Sequence, residues 1–440
     1  MDTASQLTAP TVVLVPQGSL GDLHPFIALG LALQRRGANV ILCSHPYFGD
    51  KVKAAGLDFR PLGPEREAYE RDLDMSPEKI IRRMMLDHAF LLRRIVAPYM
   101  DAWIDELLPT VAAADLVVGT SLAYAAHIAA KLCGKPFITG ALMPAVLMSA
   151  YDPPKTPEAP FVLKPEHAWG LKINQLIFAL GRLKLGPGLA PIRDVYRRHG
   201  LVPQEGLGGV VSDGATIALF SPLLAEPQPD YPPCTEMVGF PFFDSEDGKA
   251  PVLPPQVSAF LDTGPAPLVF SLGSVAIYSG EKFYRAAVET SKLLGQRCIL
   301  LTGSESPLLN EDFGPDVLVA PYAPHSLLFP RARIVVHHGG IGSTAQALRA
   351  GRPQLVTPVF GDQFDNARRV HMLGAGETLD FKRFTPGRAV PVLRHLLASQ
   401  QTEATCAMIA PIIAAEDGPA RAADILLASV AARAASFIAE

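Results

Sequence analysis

One stretch in the last third of the chain, His337-His-Gly-Gly-Ile-Gly-Ser-Thr-Ala-Gln346, has the composition of an anion cradle. Glycines at 339, 340 and 342 let backbone N–H groups approach a ligand closely, and Ser343 and Thr344 add hydroxyl donors. An apolar run precedes it and a helical pattern follows, so its N–H groups belong to a helix start, where negative charge is favoured. Such a cradle would hold a diphosphate without lysine or metal ligands. As a bare pattern it reads equally as a tight turn.

Two neighbouring stretches add to it. In Pro358-Val-Phe-Gly-Asp-Gln-Phe-Asp-Asn366, Asp362 offers an acceptor and Gln363 a bidentate amide, a pair suited to adjacent sugar hydroxyls. Asp362 would also serve simply as a helix cap. Tyr322-Ala-Pro-His325 follows another strand-like run, where a tyrosine either stacks on a planar base or packs in the core. Near the N-terminus, Gln17-Gly-Ser-Leu-Gly-Asp-Leu-His-Pro-Phe26 joins the first strand to the first helix. Asp22 sits at that junction, as an N-cap or as a carboxylate aimed into a cleft, with Pro25 suited to a first helical turn. His24 is the rival for a proton-accepting role, whereas His45, His88 and His127 read as structural or surface residues.

These residues need elements to position them. Apolar runs at 11–15, 39–43, 116–119, 136–139 and 217–220 alternate with helical spacing at 25–36, 52–55 and 123–132. A second series repeats the alternation: strands at 268–271, 298–302, 317–320, 334–337 and 354–357, helices at 282–294, 343–350, 363–373 and 418–439. Repeated strand–helix–strand order predicts parallel sheets with right-handed crossovers. The expected fold class is therefore α/β, with two Rossmann-like doubly wound domains facing across a cleft and ligands beyond the carboxyl ends of the strands. The expected division is an N-terminal domain to residue 240, a proline-rich linker over 241–257, a C-terminal domain over 258–418, and a terminal helix over 419–440 packing back on the first domain. Two mixed helical stretches, 77–108 and 169–196, read as insertions that wall the cleft.

The ordered set Tyr322-Ala-Pro-His, His338-Gly-Gly-Ile-Gly-Ser-Thr, Gly351-Arg-Pro and Asp362-Gln-Phe-Asp-Asn resembles the donor signature of the UDP-glycosyltransferase superfamily, glycosyltransferase family 1, which has the GT-B fold. The resemblance implies that His338, Gly340, Gly342, Ser343 and Thr344 meet the diphosphate. It implies that Tyr322 stacks on the base, with His325 and Ser274 on the same rim, and that Asp362 and Gln363 hold the transferred sugar. Gln346 stands where an acidic residue often binds the ribose, Ile341 where tryptophan is common, and His325 where glutamine is common. Gly21-Asp-Leu-His-Pro25 resembles the bacterial branch in which Asp22 occupies the base position, and the acceptor side then includes His24, Phe26 and Met143. Within the superfamily the sequence most resembles the bacterial rhamnolipid rhamnosyltransferase group, which transfers rhamnose from dTDP-rhamnose to hydroxy fatty acid esters. Shared features are Val238-Gly-Phe-Pro-Phe-Phe-Asp244, Pro267-Leu-Val-Phe270 with Gly273-Ser274, and Asp362-Gln-Phe-Asp-Asn-Ala367.

The implied reaction is an inverting transfer of a hexose from a UDP- or dTDP-sugar to a small lipophilic acceptor, without metal or resident cofactor. An ordinary carboxylate is a weak base at neutral pH, so Asp22 needs a raised pKa or close placement. Two rivals stand beside this reading: a sugar-nucleotide epimerase or hydrolase on the same fold, and a non-catalytic nucleotide-sugar-binding subunit.

Composition bounds the alternatives. The 440 residues are 49% hydrophobic and 19% charged, with a formal net charge of −4, which predicts a globular chain and argues against a nucleic-acid partner. Five scattered cysteines suggest reduced thiols rather than a disulfide or zinc framework. The first residues lack a signal-peptide pattern and no run of about 20 apolar residues occurs, so the expected location is cytoplasmic. The 169–196 stretch, with Lys172, Arg182, Lys184 and Arg193, reads either as an ordinary cleft wall or as a basic amphipathic surface for peripheral contact with an anionic membrane.

Overall fold

The structure, a computed structural model, describes residues 9–156, 162, 164–203, 209, 212, 215–244, 250–273 and 280–439. Ser274 and part of the expected linker, 245–249, lie outside the described residues.

Two parallel sheets organise the chain. The first holds β1 (Thr11–Val15), β2 (Asn39–Ser44), β3 (Asp58–Pro61), β4 (Leu116–Gly119), β5 (Phe137–Ala141), β6 (Thr216–Ala218) and β7 (Thr235–Met237) in the order β3-β2-β1-β4-β5-β6-β7. The second holds β8 (Leu268–Ser271), β9 (Cys298–Leu301), β10 (Val317–Ala320), β11 (Ile334–His337), β12 (Gln354–Val356) and β13 (Gly376–Thr378) in the order β10-β9-β8-β11-β12-β13. The fold is the expected α/β arrangement of two Rossmann-like sheets. In each sheet the order reverses beside the first strand, between β1 and β4 and between β8 and β11. A crevice opens at such a switch point. The sequence runs do not register β3, β7 and β13, because Asp58, Arg60, Glu236 and Glu377 interrupt their apolar pattern at the sheet edges.

Strand centres are covered on both faces, as parallel sheets require. Val12, Val13, Leu14 and Val15 are buried in β1, as are Ile334, Val335 and Val336 in β11. The helix α1 (Leu20–Gln34) begins five residues before Pro25, because Ser19 and Asp22 form a capping box that starts it earlier. A 31-residue helix, α2 (Ala168–Arg198), contains Pro187 and Pro191 and packs on a π-helical segment, Leu91–Val96. In the second half, α3 (Ile341–Arg349) follows β11 and α4 (Gln363–Met372) follows β12. The last helix, α5 (Gly418–Ala439), lies on α1: Ala422, Ala423 and Leu426 join the core around β1, and Arg36 Nη2 reaches Asp424 Oδ2 at 3.1 Å.

Candidate functional site

The β1–α1 turn delivers Asp22. Its Oδ2 accepts hydrogen bonds from the Ser19 N–H at 2.7 Å and the Ser19 hydroxyl at 3.3 Å. Ser19 is therefore the N-cap, and Asp22 the third residue of the capping box rather than the cap itself. Gly18, at φ +148°, permits this turn. A Cβ there would lie 2.1 Å from Asp22 Oδ2, so only glycine leaves the carboxylate in place. Burial pushes the Asp22 carboxyl up to about 6, although the Ser19 bonds oppose the shift.

The rest of the expected acceptor side divides. Burial, then the Lys51 charge, drives the His24 imidazole down to about 4, so it is neutral at pH 7. Its Nε2 is buried without a partner among the described residues, and its ring lies 5.5 Å from that of Phe243. Met143 is half-buried just past the end of β5. Phe26 departs from expectation: it is fully buried and packs toward Gly140 of β5, so it is a core residue and not part of a binding wall. Its position two turns inside a covered helix decides this.

The cradle is built by β11 and α3. His337 is fully buried and pins the turn: its Nδ1 accepts from the Gly339 N–H at 3.1 Å while Nε2 lies 2.8 Å from Gln354 Oε1. The His338 ring is clasped between glycines. A Cβ on Gly273 would come within 2.6 Å of its Cε1, and one on Gly340 within 2.5 Å of its Nε2. Burial, reinforced by His337 and His325, holds His338 down at about 3, a neutral ring whose Nδ1 has no partner among the described residues. Thr344 Oγ1 is likewise buried and unpartnered among them. Gly340 is the N-cap of α3 and offers no side chain to the first N–H groups. Gly342 differs from its neighbours: a Cβ there would meet nothing within 4 Å, and its backbone needs no glycine. Packing does not explain that residue, whereas a ligand approaching the helix start would.

The third component comes from the turn into α4. Asp362 occupies the N-cap position but makes no capping bond. Asn366 Nδ2 donates to Asp362 Oδ2 at 2.8 Å and to the Gly339 carbonyl at 2.9 Å, tying the two rims together. Burial pushes the Asp362 carboxyl up to about 7, and the Asp22 charge adds to the shift. Gln363 is buried, with Oε1 accepting from the N–H groups of Val359 and Phe360. Half of the amide expected to meet a sugar therefore holds the loop.

The base-side residues are anchored as well. The Tyr322 hydroxyl donates to Asp244 Oδ1 at 3.2 Å, the Ser326 N–H donates to Asp244 Oδ2 at 2.6 Å, and the His325 ring stacks on Phe329 at 4.2 Å. Ser343 is buried in the first turn of α3. Gln346 is buried and accepts from Arg349 Nη2 at 2.7 Å, and the Arg349 guanidinium lies 4.0 Å over the Phe242 ring.

Sequence reasoning assigned no role to Asn366, Asp244 or Asp152. Asp152, after β5, bonds Arg368 at 3.0 Å and Arg369 at 2.5 Å; Arg369 in turn reaches Asp365 at 2.7 Å, and Asp365 accepts the Lys155 N–H at 3.0 Å. This buried network fastens α4 to the first half. The i,i+4 spacings Asp362–Asn366 and Asp365–Arg369 were visible signals. Nothing local marks Asp152, more than 200 residues away.

Comparison with known proteins fits this geometry. Residues 12–140 match the glycosyltransferase family 28 N-terminal domain, and residues 298–428 match the erythromycin biosynthesis protein CIII-like C-terminal domain. The chain has the GT-B fold and is similar to glycosyltransferases of that superfamily. It is 29% identical over 391 residues to a sterol 3-beta-glucosyltransferase of Candida albicans, matching 84% of this chain and 25% of that protein. This GT-B chain thus spans about a quarter of the length of such fungal relatives. It is 28% identical over 441 residues to the vancomycin aglycone glucosyltransferase of Amycolatopsis orientalis, covering 95% of this chain and 97% of the other. The crystal structure of the calicheamicin glycosyltransferase CalG4 superposes with a TM-score of 0.69 at 20% identity, covering 96% of this chain and 98% of that one, and so shares its fold.

Proposed function

We propose that this chain is an inverting glycosyltransferase. It would transfer a hexose from a nucleotide diphosphate sugar, of UDP-glucose or dTDP-rhamnose type, to a hydroxyl of a small lipophilic acceptor. One observation carries the reading: Asp22 and Asp362, one from each half, approach closely enough to interact, beside an open helix start with unpartnered His338 Nδ1 and Thr344 Oγ1. Sterol glucosyltransferases among the relatives support a lipophilic acceptor, and a hydroxy fatty acid ester fits the same description.

In this mechanism Asp22 takes the proton of the acceptor hydroxyl. The oxygen attacks the anomeric carbon as the bond to the diphosphate breaks, and the electron pair leaves with the nucleotide. The N–H groups at the start of α3, the Thr344 hydroxyl and His338 stabilise the charge that accumulates there. A base near 6 is mostly ionised at pH 7 yet more basic than an ordinary carboxylate. Asp362, held by Asn366, orients the sugar hydroxyls. We assign the acceptor to the first half, up to residue 240, and the nucleotide to 258–418.

The test is turnover with UDP-glucose and dTDP-rhamnose against a sterol, a phenol and a hydroxy fatty acid ester. A glycoside of inverted anomeric configuration is expected. Release of free sugar alone, an epimerised donor, or a product of retained configuration would refute the proposal.

A further inference from the structure

The helix α2 turns an apolar stripe outward. Trp169, Ile173, Leu176, Leu180 and Leu183 recur at intervals of four, three, four and three residues, which lines them along one face over about 21 Å. All are exposed, with Trp169 at 65%, Leu176 at 59% and Leu183 at 74%. Elsewhere on the helix, Asn174, Gly188, Ile192, Val195 and Tyr196 are buried. A continuous apolar patch of this kind is uncommon on a surface that meets only water.

The charges around the stripe indicate what covers it. From 168 to 193 the helix carries Lys172, Arg182, Lys184 and Arg193 and no acidic residue, in a chain whose net charge is −4. Lys172 lies one turn from both Trp169 and Leu176, and Lys184 one turn from Leu180, so both flank the stripe and are exposed. Pairing with a second copy would bring these cations together as the seam dried. An anionic lipid surface matches both the stripe and its basic flanks. Among the described residues no helix is long and apolar enough to cross a membrane, so the contact is one of lying on the surface.

The placement gives the contact a use. Asn174 Nδ2 donates to the Ala150 carbonyl at 2.9 Å, tying α2 to the segment that leaves β5 past Met143. We infer that the α2 stripe docks the protein on an anionic membrane, in the interface plane, beside the mouth through which a lipophilic acceptor enters. Delivery of the acceptor rests on the sugar-transfer reading; docking itself rests on the stripe and its charges.

Co-sedimentation of the full chain with vesicles tests this. The chain should pellet with vesicles of roughly two parts phosphatidylcholine to one part phosphatidylglycerol, less so in high salt and hardly at all with phosphatidylcholine alone. The triple variant Leu176→Glu/Leu180→Glu/Leu183→Glu should bind the mixed vesicles about tenfold less. Its melting temperature and nucleotide binding should be retained, since these side chains are exposed and lie outside the donor cradle. Three results would overturn the inference: no binding of the unaltered chain to mixed vesicles, equal binding by the variant, or a dimer in light scattering that the variant dissociates without any vesicle effect. Lost turnover with intact vesicle binding would count against the sugar-transfer reading alone.

Discussion

Burial holds a proton on Asp362, at the start of α4, and the charge of Asp22, in the first turn of α1, adds to that effect. The two follow strands of different sheets and are 340 residues apart in sequence, so the packing of the two halves brings them together. A site made this way works when each carboxylate has a separate task. Asp22 is held by Ser19 and Asp362 by Asn366, and neither is paired with a cation among the described residues.

Asp22→Asn separates chemistry from architecture. The amide oxygen can still accept the Ser19 N–H, so the capping box survives and stability should change by less than about 1 kcal/mol. Proton abstraction is lost, and kcat should fall by about 10²- to 10⁴-fold while nucleotide affinity is retained. Steady-state kinetics with calorimetric nucleotide titration measures both. Full turnover by the variant would remove Asp22 as the base.

Activity and stability should respond to pH through different groups. The acidic limb of kcat/KM should lie near pH 6, where Asp22 becomes protonated. For stability, Asp22 and Asp362 keep protons up to about 6 and 7, against an ordinary 3.8. The folded state holds more protons there, so these two groups lose stability as pH rises through that window. His24, His325 and His337 are held down at about 4 and His338 at about 3, against an ordinary 6.5. The unfolded chain binds the extra protons in that case, so each histidine weakens the fold as pH falls from about 6.5 to 4. Four such groups outweigh two, and these six together predict a melting temperature that falls on acidification. The double variant Asp22→Asn/Asp362→Asn should fall more steeply over pH 7 to 5, and a shallower dependence would contradict the burial of both carboxyls.

Gly342 provides a test that opposes stability to binding. Alanine there meets no neighbour and suits a helix better, so Gly342→Ala should be neutral or stabilising by up to about 1 kcal/mol. Nucleotide affinity should nevertheless drop about tenfold, because the methyl group fills the space a phosphate needs. Denaturant melts and calorimetry read the two effects, and unchanged affinity would move the phosphate elsewhere.

The network joining the halves predicts a purely structural loss. Asp152→Ala leaves Arg369 buried without one of its two carboxylates. Removing one partner of a buried ion pair costs about 3–5 kcal/mol. Urea unfolding should show a loss of this size, and a change below about 1 kcal/mol would mean that the network contributes little.

Much of this fold is legible in sequence, because parallel strands buried on both faces are written as uninterrupted apolar runs such as 12–15 and 334–336. The glycine turn between β11 and α3 is legible too, since close backbone approach leaves few alternatives to glycine. What stays hidden depends on distant contacts. Phe26 falls where a binding residue was expected and is core, since helical spacing alone cannot tell a covered face from a cleft wall. Asp152 has no local pattern because its partners lie on α4. The exposed stripe of α2 has the spacing of a buried face, and only the fold reveals which side is outward.

The central claim is that the start of α3 binds a pyrophosphate opposite Asp22. A crystal structure of the protein with thymidine diphosphate or uridine diphosphate tests it most directly. The account predicts the diphosphate against the N–H groups of residues 342–344, with His338 Nδ1 or Thr344 Oγ1 gaining its missing partner and the terminal phosphate directed toward Asp22 and Asp362. A nucleotide bound elsewhere, with both of those atoms still unpartnered, would contradict it.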